Sequence, residues 1–200
     1  MVQDVRPSGA PFKRLFFALP VSDAQRRALA QWRRGLNLRS GKPVPADNFH
    51  VTLLFLGDVD TALVPAICAA VDVLKRPAAP PRLLLDRLQV WPRAGALVLE
   101  PQQTPPALLQ LVYGLQQALL PLGLEAASRE YRPHLTLSRD YRGQPPEAAS
   151  APEFFLAARH FTLYESRGSH VTISTNCPHD CLCWRAYAMA HGHFSTSKRP

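Results

Sequence analysis

The apolar positions along this 200-residue chain change spacing in a regular succession of elements. Arg14 to Leu19 is a short apolar strand that ends at Pro20. Ser22-Asp23-Ala24-Gln25 has the form of a capping box and predicts a helix to about Arg34, stopped by Gly35. A loop from Leu36 to Asn48, carrying Pro43 and Pro45, leads into a second apolar strand that starts at Phe49 and breaks at Gly57-Asp58. Thr61 to about Leu74 reads as a helix, with Pro77, Pro80 and Pro81 beyond it. Arg82 to Val90 and Ala96 to Glu100 are predicted strands, joined as a hairpin across Trp91-Pro92-Arg93-Ala94-Gly95. Thr104 caps a third helix whose first positions are Pro105 and Pro106 and which ends at Gly123. A strand over Tyr131–Asp140 follows, then a loop from Gly143 to Pro152 and a strand from about Ala157 to Glu165. Strands and helices in this order predict an α+β fold rather than a doubly wound parallel sheet.

Two of these strands carry nearly the same text. Phe49-His50-Val51-Thr52-Leu53-Leu54 and Pro133-His134-Leu135-Thr136-Leu137-Ser138 both read His-x-Thr-x, and the two copies lie 84 positions apart. Residues i and i+2 of a strand point the same way, so His50 sits beside Thr52 and His134 beside Thr136. Val51, Leu53, Leu135 and Leu137 then face the core. Two imidazoles on one cleft can divide acid and base roles near neutral pH. One ring takes a proton from an attacking water or hydroxyl and the other gives one to a leaving oxygen. The threonine hydroxyls can donate to the oxygens of an anionic group held between the rings. A phosphodiester, with two non-bridging oxygens and a poor alkoxide leaving group, needs all four. A single His-x-Thr is a weak signal, since most such histidines are structural; the duplication is what gives it weight.

Composition narrows the class further. The chain is 46% apolar and 19% charged, as expected of a globular protein long enough for one substantial core. Its formal charge of +8 favours polyanions such as RNA. No stretch approaches the length of a membrane span and the N-terminus lacks an apolar signal region, so a cytoplasmic location is expected. His170-Val171-Thr172-Ile173 is a third His-x-Thr-x, but its neighbours match neither motif. Cys177, Cys181 and Cys183, with His179, His191 and His193, have ligand chemistry but a spacing that fits no zinc module, so neither metal nor cofactor is expected.

The motifs resemble those of the 2H phosphoesterases, in particular the bacterial RNA 2′,3′-cyclic phosphodiesterases of the ThpR or LigT type, first named as 2′-5′ RNA ligases. Further matches are Arg14-Leu15-Phe16-Phe17-Ala18-Leu19, Pro45-Ala46-Asp47-Asn48 and Phe161-Thr162-Leu163-Tyr164-Glu165-Ser166. The resemblance implies two lobes of antiparallel-rich sheet related by a pseudo-twofold, with outer helices and one motif from each lobe lining a central cleft. It places the phosphoesterase unit at 13–167, between a flexible leader, 1–12, and a divergent tail, 168–200, expected to be altered or poorly ordered. The motifs are symmetric and leave acid and base open; the resemblance makes His50 the proton donor and His134 the proton acceptor, with Thr52 and Thr136 on the non-bridging oxygens. The implied reaction is hydrolysis of RNA 3′ ends, or nucleotides, bearing a 2′,3′-cyclic phosphate to 2′-phosphomonoesters by a monomer. Arg132, two residues before His134, should share its face and contact substrate. One of Phe16 and Phe17 should stack on the terminal base while the other enters the core; Tyr131, Arg139 and Arg14 are further neighbours. Rival readings are 2′-5′ RNA ligation, a cyclic phosphodiesterase of small nucleotides, and a non-catalytic RNA-binding protein.

Overall fold

The computed structural model describes residues 11–74, 81–125, 130–157, 160–167 and 170–173. β1 (Phe12–Pro20) leads to α1 (Asp23–Arg34), which starts at the expected capping box: Ser22 Oγ accepts from the Gln25 amide while the Gln25 side chain accepts from the Ser22 amide. Gly35 ends that helix in an ordinary right-handed conformation. After β2 (Lys42–Pro43) comes β3 (His50–Asp60) with the first motif, then α2 (Val64–Asp72). β4 (Arg82–Leu85), β5 (Arg87–Trp91), β6 (Ala96–Glu100) and α3 (Pro106–Leu119) precede β7 (Leu135–Arg139), which carries the second motif. β8 (Phe154–Ala157), β9 (Thr162–Arg167) and β10 (His170–Ile173) complete the described elements.

One antiparallel sheet runs in the order β10-β9-β1-β3-β7-β6-β5, with β2 paired to β7, and β4 and β8 form a separate ribbon. The two motif strands meet at its centre through the pair Val51–Leu135. On the flanks, Leu19 of β1 lies opposite Val51 and Leu99 of β6 lies opposite Leu135. The strands on either side of the central pair therefore repeat one plan, β9-β1-β3 answering β5-β6-β7. Val51, Leu135, Leu19 and Leu99 are all at most 2% exposed and belong to one continuous core with Ile67 of α2 and Leu108 and Leu115 of α3. α1 packs on the ribbon strand β8 through an edge-on contact of Trp32 with Phe154.

Each motif strand carries a bulge at the same point. Phe17 pairs with Leu54 and Ala18 with Thr52, leaving Leu53 as the extra residue; Leu97 pairs with Ser138 and Val98 with Thr136, leaving Leu137. A bulge reverses the in–out alternation beyond it. Leu53 and Leu54, like Leu137 and Ser138, are consequently both buried, and Phe55 and Arg139 return to the open face.

Several expected boundaries move. β3 does not break at Gly57-Asp58: Gly57 takes φ +75°, and pairing to β1 continues to Asp60. Thr61–Leu63 is a 3-10 turn capped by Asp60, and α2 begins after it with Pro65 in its first turn, where no amide donor is needed. The predicted strand Arg82–Val90 is two strands on two sheets, divided at Asp86, whose carboxylate accepts from the Gln102 amide at 2.8 Å. The predicted strand Ala157–Glu165 corresponds to β9, which begins only at Thr162; β8 lies ahead of it and pairs with β4. Pro105, not Thr104, occupies the N-cap of α3, which ends at Leu119; a 3-10 turn carries the chain to a left-handed Gly123. The third His-x-Thr-x segment forms β10 and pairs along β9. The cysteine and histidine positions from Cys177 onward lie outside the described residues.

Candidate active site

The central pair sets the geometry of the two motifs. Counting outward from Val51–Leu135 in an antiparallel sense brings His50 level with Thr136 and Thr52 level with His134. Each histidine is held by the backbone two residues before it. His50 Nδ1 lies 2.7 Å from the Asn48 carbonyl and His134 Nδ1 lies 2.8 Å from the Arg132 carbonyl. A carbonyl only accepts, so Nδ1 carries the proton in both rings and Nε2 is left for chemistry. The backbone thus fixes the same tautomer twice.

Burial pushes the His50 pKa down to about 4; the Asn48 carbonyl opposes this, and the charges of His134 and Arg139 add to it. His134 is also lowered by burial, against the Arg132 carbonyl and the Glu100 carboxylate, which raise it, with the Arg132 guanidinium lowering it again. Both rings are therefore neutral in the empty site at neutral pH. A bound anion would favour the charged form of either one. Arg139, brought back to the open face by the bulge at Leu137, contributes to His50's environment across the lobe boundary.

The half-sites differ in their surroundings. His50 rests on an aromatic shelf: Phe16 is 5.0 Å away between ring centroids and Tyr164 6.1 Å, and Phe16 stacks on Phe55 and Tyr164. His134 lies 4.2 Å from the Trp91 ring, over which the Arg132 guanidinium sits at 4.9 Å. Behind both is Glu100, 4% exposed. Its Oε2 accepts from Arg132 Nη2 at 3.0 Å and from Trp91 Nε1 at 3.2 Å, and its Oε1 pairs with Arg87 at 2.9 Å. From α1, Arg33 donates to the carbonyls of Val44 and of the bulge residue Leu137. Tyr131 donates to the Thr52 carbonyl at 3.1 Å, tying the second motif's approach to the first motif.

A cavity of about 410 Å³ opens here, walled by Thr52, Phe55, Trp91, Tyr131, Arg132 and His134 among others. Arg132 faces it as expected from its spacing. The alternation expected of Phe16 and Phe17 is present: Phe16 lies under His50, and Phe17 packs edge-on against Phe161 in the core. Neither ring offers a face to a base, however, at 1% and 0% exposure. Phe55, 53% exposed and stacked on Phe16, has the open ring instead. Arg14 sits at the far end of β1, opposite Asp58. Glu100, Trp91 and Tyr164 did not emerge as site residues from the sequence; the hairpin register, which sets Arg87 against Glu100 and Trp91 against Ala96, was the signal for the first two, and the pairing of Tyr164 with Phe16 the signal for the third. Among the described residues no group of three or more His, Cys, Asp or Glu side chains could hold a metal ion.

An antiparallel sheet with a duplicated imidazole and hydroxyl pair at its centre defines a class of two-lobed phosphoesterases, and comparison with known proteins places the chain within it. The structure matches that of E. coli LigT complexed with 3′-AMP with a TM-score of 0.69 and 31% identity, covering 82% of this chain and 95% of that one. The RNA 2′,3′-cyclic phosphodiesterase of E. coli K12 is 33% identical over 159 residues, 77% of this chain and 87% of the relative. The protein of the same description from Thermus thermophilus is 32% identical over 134 residues, 63% of this chain and 68% of its own length. The model of the LigT-like phosphoesterase family matches twice, over residues 19–98 and again over 99–173, and the chain belongs to that family. The two matches begin at Leu19 and Leu99, the residues that lie opposite Val51 and Leu135 in the sheet.

Proposed function

We propose that this protein hydrolyses 2′,3′-cyclic phosphate ends of RNA to 2′-phosphomonoesters. The observation that carries the reading is the pair of histidines fixed in one tautomer by equivalent backbone carbonyls on two adjoining strands. The names of the E. coli and Thermus relatives supply the substrate class. In the resting site both Nε2 atoms are unprotonated; the anionic substrate raises the pKa of the ring nearest its leaving oxygen, which takes up a proton on binding. His134 Nε2 then removes a proton from water as the water oxygen bonds to phosphorus. The bond from phosphorus to the 3′ oxygen breaks, and His50 delivers its proton to that oxygen. Thr52 and Thr136 donate to the non-bridging oxygens, where charge builds in the transition state.

Which ring serves as donor follows the family resemblance rather than the charges of the empty site, because Glu100 favours a proton on His134. A substrate that needs no acid separates the roles. With an activated aryl phosphodiester, whose leaving group departs unprotonated, His50→Ala should lose far less activity than it does on a cyclic phosphate. His134→Ala should lose the same on both. If the two variants exchange behaviour, the assignment reverses.

Both halves of the site come from one chain, so the reading requires no second copy, and we take the protein to act as a cytoplasmic monomer. No helix among the described residues is long and apolar enough to cross a membrane. The chemistry is assigned to residues 13–167, which carry both motifs and the walls of the cavity. The test is incubation with an RNA oligonucleotide ending in a 2′,3′-cyclic phosphate, in EDTA, followed by assignment of the phosphate position. A 2′-phosphate is expected. A 3′-phosphate, or activity that EDTA abolishes, would overturn the mechanism.

A further inference from the structure

The catalytic cavity continues into a second depression along the β5–β6 hairpin. This one, of about 860 Å³, is lined by Gln89, Trp91, Pro92, Arg93 and Arg132 among others, and shares Trp91 and Arg132 with the first. Register explains why these side chains line up. Antiparallel partners point to the same face, so Gln89, Val98 and Thr136 form one row across β5, β6 and β7, and Trp91, Ala96 and Arg139 form the next. Since Thr136 faces the cleft, so do Gln89 and Trp91, and Arg93 follows on the exposed turn. Beside them Glu100 serves two guanidiniums, Arg87 and Arg132, while the depression itself is lined by Arg93 and Arg132 and by no carboxylate.

We propose that this hairpin groove is the path of the RNA strand upstream of the terminal nucleotide. The inference rests on the proposed substrate and adds where the rest of the chain lies. An amide, an indole and two guanidiniums in a row suit a single strand, which is held by base stacking and phosphate contacts. The rival basic surface lies on α1, around Arg26, Arg27 and Arg34. It shares no residue with the catalytic cavity, and there Arg26 is already paired with Asp23 and Asp47. A strand leaving the cleft meets the hairpin first.

The experiment compares a cyclic mononucleotide with a five-nucleotide RNA ending in the same cyclic phosphate, for wild type, Arg93→Glu, Gln89→Ala and the control Arg27→Glu. Alongside it, anisotropy with a labelled RNA ending in a 2′-phosphate measures affinity without turnover. Arg93→Glu should lower kcat/KM on the pentamer about tenfold and leave the mononucleotide within about twofold. It should also weaken RNA affinity to a similar degree and flatten the plot of log affinity against log salt by roughly 0.7 per lost phosphate contact. Gln89→Ala should give a smaller loss of the same kind. Equal losses on both substrates, no loss on either, or a loss in Arg27→Glu that Arg93→Glu lacks would each overturn the path. If no substrate is turned over, the proposed reaction fails, and the affinities alone decide the groove: weaker binding by Arg93→Glu upholds it and unchanged binding overturns it.

Discussion

Glu100 shows how much of the candidate site is arranged around one buried carboxylate. Its carboxylate is buried and holds Arg132, Arg87 and the Trp91 indole at once. Glu100→Gln keeps the shape and removes the charge that two guanidiniums share. Because both arginines are half open to water, the expected loss of stability is modest, about 1–3 kcal/mol, measured by chemical denaturation. The same substitution removes a carboxylate that raises the His134 pKa, so the pH–rate limb belonging to His134 should move to lower pH. An unmoved limb would mean that Glu100 only packs.

His50 makes a second prediction at this scale. Its folded pKa, about 4, lies below the ordinary 6.5, so the unfolded chain binds its proton more readily. Stability from this group is fully present above about 6.5 and is lost as pH falls toward about 4. His50→Gln should flatten the fall of Tm across that window; an unchanged slope would contradict the burial argument. The histidines and threonines were legible in the sequence because each pair is local, two residues apart on one strand. Glu100 and Trp91 were not, since their roles arise from neighbours on other strands.

Among the elements, the equivalent bulges at Leu53 and Leu137 aim the side chains just beyond each motif. They return Phe55 and Arg139 to the open face, one aromatic and one basic, and so give two similar backbones different chemistry. Gly41, just before β2, sits against the second bulge. It adopts φ +82°, and a Cβ there would lie 2.5 Å from Ser138 Oγ and 2.8 Å from the Arg139 carbonyl. Gly41→Ala should cost about 1–3 kcal/mol from strain and clash. Because it presses on the strand that presents Arg139, it should also lower activity in protein that remains folded; a wild-type Tm would contradict this. α1 was legible to the residue, because a capping box is a local signal. The division at Asp86 was not, because the alternation of apolar residues within a strand does not say which sheet receives it.

Across the whole molecule, the duplicated motif becomes a duplicated architecture joined at Val51–Leu135. Two half-sites meet there without a partner chain, and one continuous core lies behind both. The α+β class was readable because strands and helices keep their order; the two-lobed plan came from the family resemblance that the duplicated motif carries. The meeting of β3 and β7 within a single sheet was not readable, since one residue pair joins segments 84 positions apart. The formal charge of +8 belongs to this scale too, and on the proposed function RNA affinity should fall with added salt.

The proposed mechanism requires His50 and His134 to work as one unit. The decisive measurement is the single-turnover rate on RNA ending in a 2′,3′-cyclic phosphate for wild type, His50→Ala, His134→Ala and the double variant, each checked for folding. Losses of roughly 10² to 10⁴ are expected for each single change, with little further loss in the double variant. A folded single variant within a few-fold of wild type would contradict the paired-histidine mechanism.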